Sequence, residues 1–595
     1  MFIRVFFLQL LVLISLYIVA FGTTPAYGWT FGPVQFESYD GTLIDAQLFT
    51  PNNYSKNENH PAIVLVPGWS MPKETTYPNA IEFANRGYVV ISYSPRGYGF
   101  SGGLVDTAGP LDRDDFSSAV DWLIENARID PERIGTGGVS YGGIIPLNSS
   151  SFDERIRAVA ALDIPAEVED AFYQGESPNA FWTQFLQLAS NIGRPNPDIR
   201  KNLDGLFANE NIPQILEWAR ERSPRSYIDF INDRQVPVFL SLNYRDRMFR
   251  PNSGIRYFEN LIGPKLLQLH DGIHGAPVSE SENYRSNTYF DWFDYWLRDI
   301  DNGVMDRPLV DVQLHRTSQR VGYQEWPALN IQNQTLYLAP NAERYTGDLL
   351  KEPEINNDLW ALDSFFSSQE SEQPTSGRPL TDAQADVFTD FETYDPDLAH
   401  AYQTDFLPSG AKLRGIPTVN MRIQAWDEQV QLVAYLYQIN PDGQALYLTH
   451  GAKTFYDLFP GELVDLEIEL TALMYDFTPG SRIGVAIDTQ DPQYRRPPQP
   501  SFSLDVVHSL MMPNQINLPI EGELEFAAVE EEEEPETDPQ TPDTSTPSED
   551  DTDNVDRSSS GNSNSGGGGS GGSTGILLLM TTGLLALRRK QRLLS

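Results

Sequence analysis

Short apolar runs recur through the first half of the chain, with segments of helical or loop character between them. The runs are AIVLVPG (62–68), YVVISYS (88–94), IGTGGVS (134–140), IRAVAALD (156–163), VPVFLSLN (236–243) and KLLQLHD (265–271). Strands that are apolar almost throughout are typical of a parallel sheet that helices cover on both faces. The pattern therefore predicts an α/β fold for this half of the chain.

Two local patterns agree with this prediction. The segment VQFESYDGTLIDAQLFTP (34–51) alternates on either side of Asp40-Gly41, which is typical of a tight antiparallel hairpin. The segment DDFSSAVDWLIENA (114–127) has helical periodicity, because one face would carry Phe116, Val120, Leu123 and Ile124. We therefore expect an antiparallel start to the sheet and a helix before the third apolar run.

The recurrence of short apolar runs changes at two points further along the chain. Between 165 and 234, aromatic residues recur at helical spacings, which predicts a helical cap inserted into the α/β domain. After residue 305, alternating segments such as VQLVAYLYQI and RIGVAID, with Pro, Gly and Asp between them, predict an all-β sandwich. We therefore place an α/β catalytic domain at 29–305 and a β-sandwich domain at 306–527.

The first 28 residues have the features of a secretory signal peptide. They carry one early cation, a long apolar run, and the small residues Ala26 and Gly28 ahead of a cleavage point before Trp29. An uncleaved membrane anchor is the alternative, because the apolar run is about 18 residues long and nearly spans a bilayer. Both interpretations predict an exported protein.

The composition changes again near the C-terminus. Residues 528–574 form an acidic and Gly/Ser-rich linker with too little apolar surface to fold, and 575–595 combine a short apolar segment with a basic cluster. This arrangement resembles the GlyGly-CTERM sorting signal of Gram-negative bacteria. The resemblance implies processing by a rhomboid-type protease, after signal peptidase has acted, and a place at the cell surface or in the medium. A permanent membrane anchor is the alternative.

Charge and cysteine content argue against several classes of protein. The 595 residues include 42 Lys and Arg against 83 Asp and Glu, which gives a formal net charge of −41. Such a charge repels phosphate backbones and argues against nucleic-acid binding. The absence of cysteine removes disulfides, thiolate metal sites and a cysteine nucleophile. No HExxH or comparable metal-ligand spacing occurs, so we expect no metal or other cofactor.

The segment GTGGVSYGG (135–143) contains a candidate nucleophile, Ser140. Gly138 and Gly142 complete a G-x-S-x-G motif between an expected strand and an expected helix, where the glycines allow a tight turn that lifts the serine above the sheet edge. A serine in an ordinary glycine-rich turn is the alternative. The assignment therefore depends on whether an acid and a base follow at the right strand ends.

The strand ends supply both partners in the order Ser, acid, His. Asp246 lies in the loop after VPVFLSLN, and His274 lies in a glycine-flanked loop after the next strand. His274 would accept the Ser140 proton as the base, and Asp246 would hold the imidazole in the correct tautomer. Asp163 is the alternative acid and His270 the alternative base, because both also lie at strand ends.

A developing oxyanion would need two backbone donors. We predict the amide of Tyr141, directly after the nucleophile, and the amide of Trp69, in the loop after the first apolar run. Aromatic residues of the cap either line a substrate pocket or pack as the core of the cap; the pocket candidates are Phe172, Tyr173 and Trp182.

Longer motifs resemble the X-Pro dipeptidyl-peptidase family and its cocaine-esterase-like relatives. They are RGYVVISYSPRGYGFSGG (86–103), DWLIENARIDPERIGTGGVSYGG (121–143), YRDRMFRP (244–251), HGAP (274–277) and DWFDYWLRDIDNG (291–303). The second half resembles the C-terminal jelly-roll domain of that family, so the resemblance spans about residues 31–524. It implies an α/β-hydrolase domain with a cap, a jelly-roll domain, and the same roles for Ser140, Asp246 and His274.

The resemblance implies a secreted serine hydrolase that forms an acyl-Ser140 intermediate and needs no cofactor. The expected substrate is a peptide with an X-Pro start, or a small ester or amide, as for an esterase or acylase. Two departures from the family stand out. Gly-Trp-Ser (68–70) occupies the loop where many relatives place a tyrosine that assists the oxyanion hole, and Pro95 replaces the usual Asp before Arg-Gly.

The sequence does not determine the substrate class. Glu167, Glu169 and Asp170 could bind a peptide amino terminus, although solvation is the commoner role of such carboxylates. A fold cannot choose between peptidase and esterase chemistry. An inactive surface-displayed binding protein is the hypothesis from a different class.

Overall fold

The computed structural model describes residues 29–55, 58–189, 191–277, 279–341, 346–354, 359–363, 388–390, 399–495 and 501–527. The predicted signal peptide (1–28), linker (528–574) and sorting segment (575–595) lie outside the described residues. In the described ranges, no helix combines the length and apolar character that crossing a membrane requires.

A large mixed sheet forms the centre of the first half. The strands of this half are β1 (Trp29–Glu37), β2 (Leu43–Pro51), β3 (His60–Leu65), β4 (Val89–Tyr93), β5 (Ile129–Val139), β6 (Ile156–Leu162), β7 (Val238–Asn243), β8 (Lys265–His270), β9 (Gly272–Ile273), β10 (Ala276–Pro277), β11 (Val310–Gln313) and β12 (Arg320–Tyr323). Ten of them form one sheet in the order β1-β2-β4-β3-β5-β6-β7-β8-β11-β12, and β9 with β10 forms a separate ribbon. Neighbours from β4 to β11 run parallel, as the apolar runs predicted.

The antiparallel start follows from the predicted turn. β1 and β2 pair antiparallel, and β2 continues antiparallel onto β4. Gly41 has a φ of 81°, which a residue without a side chain adopts at no steric cost. The Thr42 amide donates to the Asp40 carboxylate at 3.0 Å, so both residues of the sequence signal serve the turn.

Helices cover the sheet on both faces and form the cap. In chain order they are α1 (Tyr77–Asn85), α2 (Pro110–Asn126), α3 (Tyr141–Phe152), α4 (Val168–Phe172), α5 (Ala180–Ala189), α6 (Pro197–Ala208), α7 (Ile212–Arg220), α8 (Ile228–Arg234), α9 (Asn252–Asn260) and α10 (Ser279–Arg298), with short 3-10 turns at Lys73–Thr76, Gln174–Glu176, Pro224–Tyr227 and Val304–Asp306. Five of the helices, α4 to α8, fall within the range where the aromatic spacing predicted a helical cap.

Successive residues of one strand pack in two different cores, one on each face of the sheet. This explains why the strands are apolar at almost every position. On β3, Val64 packs in the same core as Phe116 of α2. Its neighbour Ile63 packs on the other face with Phe83 of α1 and Trp292 of α10. All of these side chains are fully buried. A strand buried on both faces needs apolar residues at every position, because side chains alternate between the faces.

The second half is a β-rich sandwich with its own core. Its strands are β13 (Ile331–Ala339), β14 (Thr346–Leu350), β15 (Leu359–Asp363), β16 (Phe388–Asp390), β17 (Ala399–Gln403), β18 (Ala411–Gly415), β19 (Thr418–Ala425), β20 (Val430–Ile439), β21 (Gln444–Phe455), β22 (Glu462–Glu469), β23 (Leu473–Phe477), β24 (Arg482–Asp488), β25 (Ser503–Val507) and β26 (Gln515–Glu521). Alternate residues of β19 are buried, which matches the alternation read from the sequence. The all-β prediction for this half is confirmed.

The first sheet extends beyond residue 305, where the expected catalytic domain ends. β11 pairs in parallel with β8, and β12 closes the sheet edge against β11. Val310 and Val312 are fully buried in the core that also holds Val64. These two short strands carry the chain out of the α/β sheet before the sandwich begins. Their local sequence pattern does not distinguish them from strands of the sandwich.

Polar contacts at α9 hold the sandwich against the α/β half. The Asn252 side chain is fully buried and donates to Glu469 Oε1 and to the Leu470 carbonyl, each at 2.8 Å. Its carbonyl oxygen accepts from the Ala472 amide at 2.8 Å. Arg256 adds an ion pair to Glu469 at 2.7 Å. One loop of the sandwich is therefore hydrogen-bonded to the face of α9.

Substitution of Asn252 tests how much this contact stabilises the chain. Asn252→Ala leaves the Ala472 amide and the Leu470 carbonyl without their side-chain partner, so we expect the free energy of unfolding to fall by about 2–4 kcal/mol. Asn260→Ala, at an exposed residue of the same helix whose side chain donates to Arg256 O, is the matched control. Urea unfolding should show a change of only about 0.5 kcal/mol for the control, and an equal effect of the two substitutions would contradict the assignment.

Candidate active site

Ser140 occupies a strained turn between β5 and α3. Its φ is 61° and its ψ is −130°, a backbone conformation that side-chain-bearing residues rarely adopt. The Ser140 amide donates to the Leu162 carbonyl at 2.8 Å, and the Ser140 carbonyl accepts from the Gly143 and Ile144 amides. These bonds offset the strain and fix the serine at the carboxyl end of the sheet, where the motif predicted it.

The flanking glycines are required by close approaches of the backbone. A Cβ at Gly142 would lie 2.1 Å from the Val66 carbonyl oxygen, and one at Gly138 would lie 2.4 Å from the Gly142 oxygen. Both distances are far below contact distance, and the obstructing atoms belong to the backbone. The two glycines therefore let the turn pack directly on the end of β3.

Ser140, His274 and Asp246 form a chain of hydrogen-bonded side chains. Ser140 Oγ lies 2.9 Å from His274 Nε2, and His274 Nδ1 lies 2.7 Å from Asp246 Oδ2. The other oxygen of Asp246 accepts from the amides of Met248 and Phe249 at 2.9 and 2.8 Å. These two amides orient the carboxylate, which is itself almost fully buried. The structure thus brings together the three residues that strand-end position selected.

The surroundings of His274 favour a proton on its ring. Burial lowers the pKa of His274, but the charge of Asp246, its hydrogen bond and the more distant Asp163 outweigh burial, so the pKa lies above its ordinary value of 6.5. The ring of Phe249 meets the imidazole edge-on with centroids 5.0 Å apart. The imidazole is thus held on one side by a carboxylate and on another by an aromatic ring.

The alternative base and acid have other partners. His270 is fully buried, its Nδ1 lies 3.3 Å from Arg320, and burial holds its pKa well below the ordinary range. Asp163 accepts from Asn243 at 2.8 Å and from Arg285 at 2.9 Å. The structure places the Asp246 carboxylate, and not that of Asp163, in hydrogen-bond contact with His274.

The residues that carry the two predicted oxyanion donors contact each other through their side chains. Tyr141 begins α3, so its amide precedes the helical hydrogen bonds, and the Trp69 ring packs edge-on against the Tyr141 ring with centroids 5.2 Å apart. Neither amide has an acceptor among the backbone hydrogen bonds of the described residues. The oxyanion hole formed by these two amides stays a prediction.

A buried carboxyl group behind Tyr141 was not predicted from the sequence. The Tyr141 hydroxyl donates to Asp112 Oδ2 at 2.5 Å, and the Ala108 amide donates to the same oxygen at 2.8 Å. Burial and the nearby carboxylates of Asp106 and Asp115 raise the pKa of Asp112 well above its ordinary range. An aspartate in the first turn of a helix usually signals helix capping, so the sequence carried no mark of this contact.

The aromatic pocket candidates occupy different surroundings. The Phe172 ring lies 6.4 Å from the ring of Phe249, which in turn contacts His274. The Tyr173 hydroxyl donates to Asn209 Oδ1 at 2.6 Å and so faces the cap. Trp182 belongs to α5, but its side chain lies outside the described part of the structure. Of the two described side chains, Phe172 has the more direct packing path to the imidazole.

The acidic residues of the cap bond to neighbouring side chains. Asp170 is paired with Arg250 through two hydrogen bonds, and Glu167 lies 3.4 Å from Arg256. Glu169 accepts from the Ser223 hydroxyl at 2.6 Å. A substrate amine that used these carboxylates would therefore have to compete with partners already in place.

A pocket lies between the Asp246 loop and the cap on one side and the sandwich on the other. Its lining includes Asp246 and Met248 from the loop, and Tyr447, His450 and Tyr494 from the sandwich, but neither Ser140 nor His274. His450 is fixed by the hydroxyls of Tyr447 at 2.8 Å and Tyr494 at 3.1 Å. The sandwich thus contributes polar aromatic residues beside the Asp246 loop, which no motif in the sequence indicated.

Two family models together match most of the described chain. Residues 40–276 match the X-Pro dipeptidyl-peptidase (S15 family), and residues 302–519 match the X-Pro dipeptidyl-peptidase C-terminal non-catalytic domain. The first match ends just after His274, and the second begins before β11. The matched segments therefore correspond to the two halves of the fold.

Individual relatives match between two fifths and more than four fifths of the chain. A thiohydrolase from Aspergillus aculeatus is 33% identical over 280 residues, which are 41% of this chain and 85% of that protein. A Bacillus cereus protein that carries the name Xaa-Pro dipeptidyl-peptidase by inference is 27% identical over 287 residues. These residues are 41% of this chain and 45% of that protein. The solved structure of an α-amino acid ester hydrolase, 16% identical, covers 84% of this chain and 98% of its own with a TM-score of 0.66, which shows a shared fold.

The close approach at Gly142 predicts a steep cost of adding one methyl group. Gly142→Ala should lower the free energy of unfolding by about 1–3 kcal/mol or more, because the backbone oxygen of Val66 must move. Gly32→Ala is the control, since nothing lies within 4 Å of its Cβ position. Chemical denaturation of both variants measures the difference, and a stable Gly142→Ala protein would show that the turn can relax.

The raised pKa of His274 predicts the acid limb of the pH profile. A base must be neutral to accept a proton, so kcat/KM should fall as the pH decreases through an apparent pKa above 6.5. Asp246→Asn removes the charge that raises this pKa, so the limb should move to lower pH while the plateau rate falls by about 10⁴-fold. Profiles from pH 5 to 9 on an uncharged ester test both statements, and an unmoved limb in Asp246→Asn would contradict them.

Proposed function

The chain belongs to the X-Pro dipeptidyl-peptidase (S15) family of serine hydrolases, and we propose that it is an exported member that cleaves ester or amide bonds through an acyl-Ser140 intermediate. The observation that carries the proposal is the continuous contact from Ser140 Oγ through the His274 ring to Asp246. A serine in an ordinary glycine-rich turn has no need of a histidine and a buried carboxylate in series.

The proposed reaction has two acyl-transfer steps. Ser140 Oγ attacks the substrate carbonyl while His274 Nε2 accepts the hydroxyl proton, and Asp246 stabilises the resulting imidazolium. The amides of Tyr141 and Trp69 would stabilise the oxyanion. His274 then donates the proton to the leaving oxygen or nitrogen, and the bond to the leaving group breaks. Water repeats the sequence on the acyl-enzyme, releases the acid and restores the Ser140 hydroxyl.

The cap supports an ester or acyl-amide substrate over a dipeptide with a free amine. Recognition of an X-Pro amino terminus needs an available carboxylate, whereas Asp170 and Glu167 pair with Arg250 and Arg256. Displacing a buried guanidinium from its carboxylate is costly, because Glu469 alone would then balance the charges of Arg250 and Arg256. The family match keeps X-Pro dipeptidyl-peptidase activity as the second candidate.

Export is part of the same proposal. The sequence features that suggest it are the signal-like segment 1–28 and the sorting-like segment 575–595, with signal peptidase and a rhomboid-type protease as the processing partners. We place the mature enzyme at the cell surface or in the medium. The net charge of −41 would keep such a protein soluble and away from nucleic acids.

The proposed activity is tested on purified residues 29–527 with p-nitrophenyl butyrate and Gly-Pro-p-nitroanilide. We expect ester hydrolysis that falls by at least about 10⁴-fold in Ser140→Ala, and slower or no release from the Gly-Pro amide. Serine-dependent cleavage of the Gly-Pro amide at a comparable rate would favour the dipeptidyl-peptidase.

The control for folding is the unfolding curve of Ser140→Ala, which should match that of the unsubstituted chain, because alanine keeps the Cβ and the backbone conformation of the turn. A fluorescent phosphonate that labels activated serines provides a second readout. No turnover on either substrate together with no labelling would contradict the proposal and favour a binding protein.

A further inference from the structure

The carbonyl groups of the residues on either side of His274 are hydrogen-bonded to buried side chains. The carbonyl before it, of Ile273, accepts from Asn243 Nδ2 at 3.0 Å, and the carbonyl after it, of Gly275, accepts from Arg285 Nη2 at 3.3 Å. Asn243 and Arg285 are 1% and 4% exposed. The loop that carries the imidazole is therefore tied at two points to β7 and α10.

Asp163 joins these two side chains. Its Oδ1 accepts from Asn243 Nδ2 at 2.8 Å, and its Oδ2 accepts from Arg285 Nη1 at 2.9 Å. Asp163 is 1% exposed and has a φ of 49°, so it is buried in a conformation that is unfavourable for a residue with a side chain. A strained buried residue persists only where its surroundings hold it, and here each carboxylate oxygen has its own donor.

The same segment also holds the nucleophile. Asp163 follows Leu162, whose carbonyl accepts the Ser140 amide at 2.8 Å, and the Asp163 amide donates to Ser241 on β7. We propose that Asp163 is a positioning residue: through Asn243 and Arg285 it sets the His274 loop relative to Ser140 and adds a second negative charge near the imidazole. This inference rests on the proposed function.

Electrostatics agree with this placement. The charged groups around Asp163 are Arg285, Asp246 and His274, and Arg285 also contacts Glu282 at 3.0 Å. Burial raises the pKa of Asp163 to about 6, because the opposing charge of Arg285 only partly compensates. The charge of Asp163 also raises the pKa of His274, but by less than the charge of Asp246 does. Removal of its charge should thus lower the pKa of the imidazole.

The test is Asp163→Asn, with activity measured from pH 5 to 9 on p-nitrophenyl butyrate. An asparagine offers one acceptor where Asp163 offers two, so one tie to the His274 loop is lost. We expect kcat to fall by about 10- to 100-fold with KM unchanged, and the acid limb to move to lower pH. A purely structural role predicts a lower melting temperature with an unmoved pH profile, and that result would overturn the inference.

Two further variants make the test decisive. Asp163→Asn can leave the charge of buried Arg285 poorly balanced and fail to fold, so Asp163→Asn/Arg285→Gln replaces the ion pair with neutral amides. This double variant should show the same fall in kcat but a smaller shift of the limb, because a cation near the imidazole is removed together with the anion. Glu282→Gln, which removes the other and more exposed carboxylate at Arg285, should leave both quantities unchanged. If both Asp163 variants fail to fold, Asp163 has a role in stability alone, and the inference is wrong.

The inference and the proposed function fail in different ways. If the unsubstituted chain neither turns over the ester nor reacts with the fluorescent phosphonate, the proposed function is wrong. If the unsubstituted chain reacts and Asp163→Asn reacts at the same rate and with the same pH dependence, only the positioning role of Asp163 is wrong.

Discussion

The contact between the turn at Ser140 and the end of β3 is the constraint on which the site depends. A Cβ at Gly142 would lie 2.1 Å from the Val66 oxygen, so the turn can pack there only as glycine. This packing sets the turn in which Ser140 has a positive φ, and α3 begins directly after it at Tyr141. The candidate nucleophile is thus placed by one close approach of two backbones.

The imidazole is placed by a second set of contacts, from other strands. Asp246 holds one ring nitrogen of His274, and Asn243 and Arg285 hold the peptide groups on either side. The buried polar groups around the ring mostly have partners, so rotation of the loop would leave several of them unsatisfied at once. The position of the His274 loop therefore depends on this polar network, and the sheet supplies the strand ends on which the network is built.

In the cap and at the interface between the α/β half and the sandwich, carboxylates are paired with arginines. The chain as a whole is strongly acidic, yet the carboxylates near the Asp246 loop are matched by arginines, as in Asp170 with Arg250 and Glu469 with Arg250 and Arg256. Buried carboxylates need such partners, whereas exposed ones do not. The pairing stabilises the contact between cap, α/β domain and sandwich, and it leaves little unbalanced negative charge for an amine.

The sequence by itself determined the parallel sheet, the hairpin at Asp40-Gly41, the sandwich, and the positions of Ser140, Asp246 and His274, because strand patterns and motif order are local properties of the chain. It could not assign β11 and β12 to the first sheet, show which of Asp246 and Asp163 contacts His274, or find Asp112 behind Tyr141. Only the tertiary structure decided these points, because each depends on which distant segments meet, and hydrogen-bond partners far apart in sequence leave no periodic pattern.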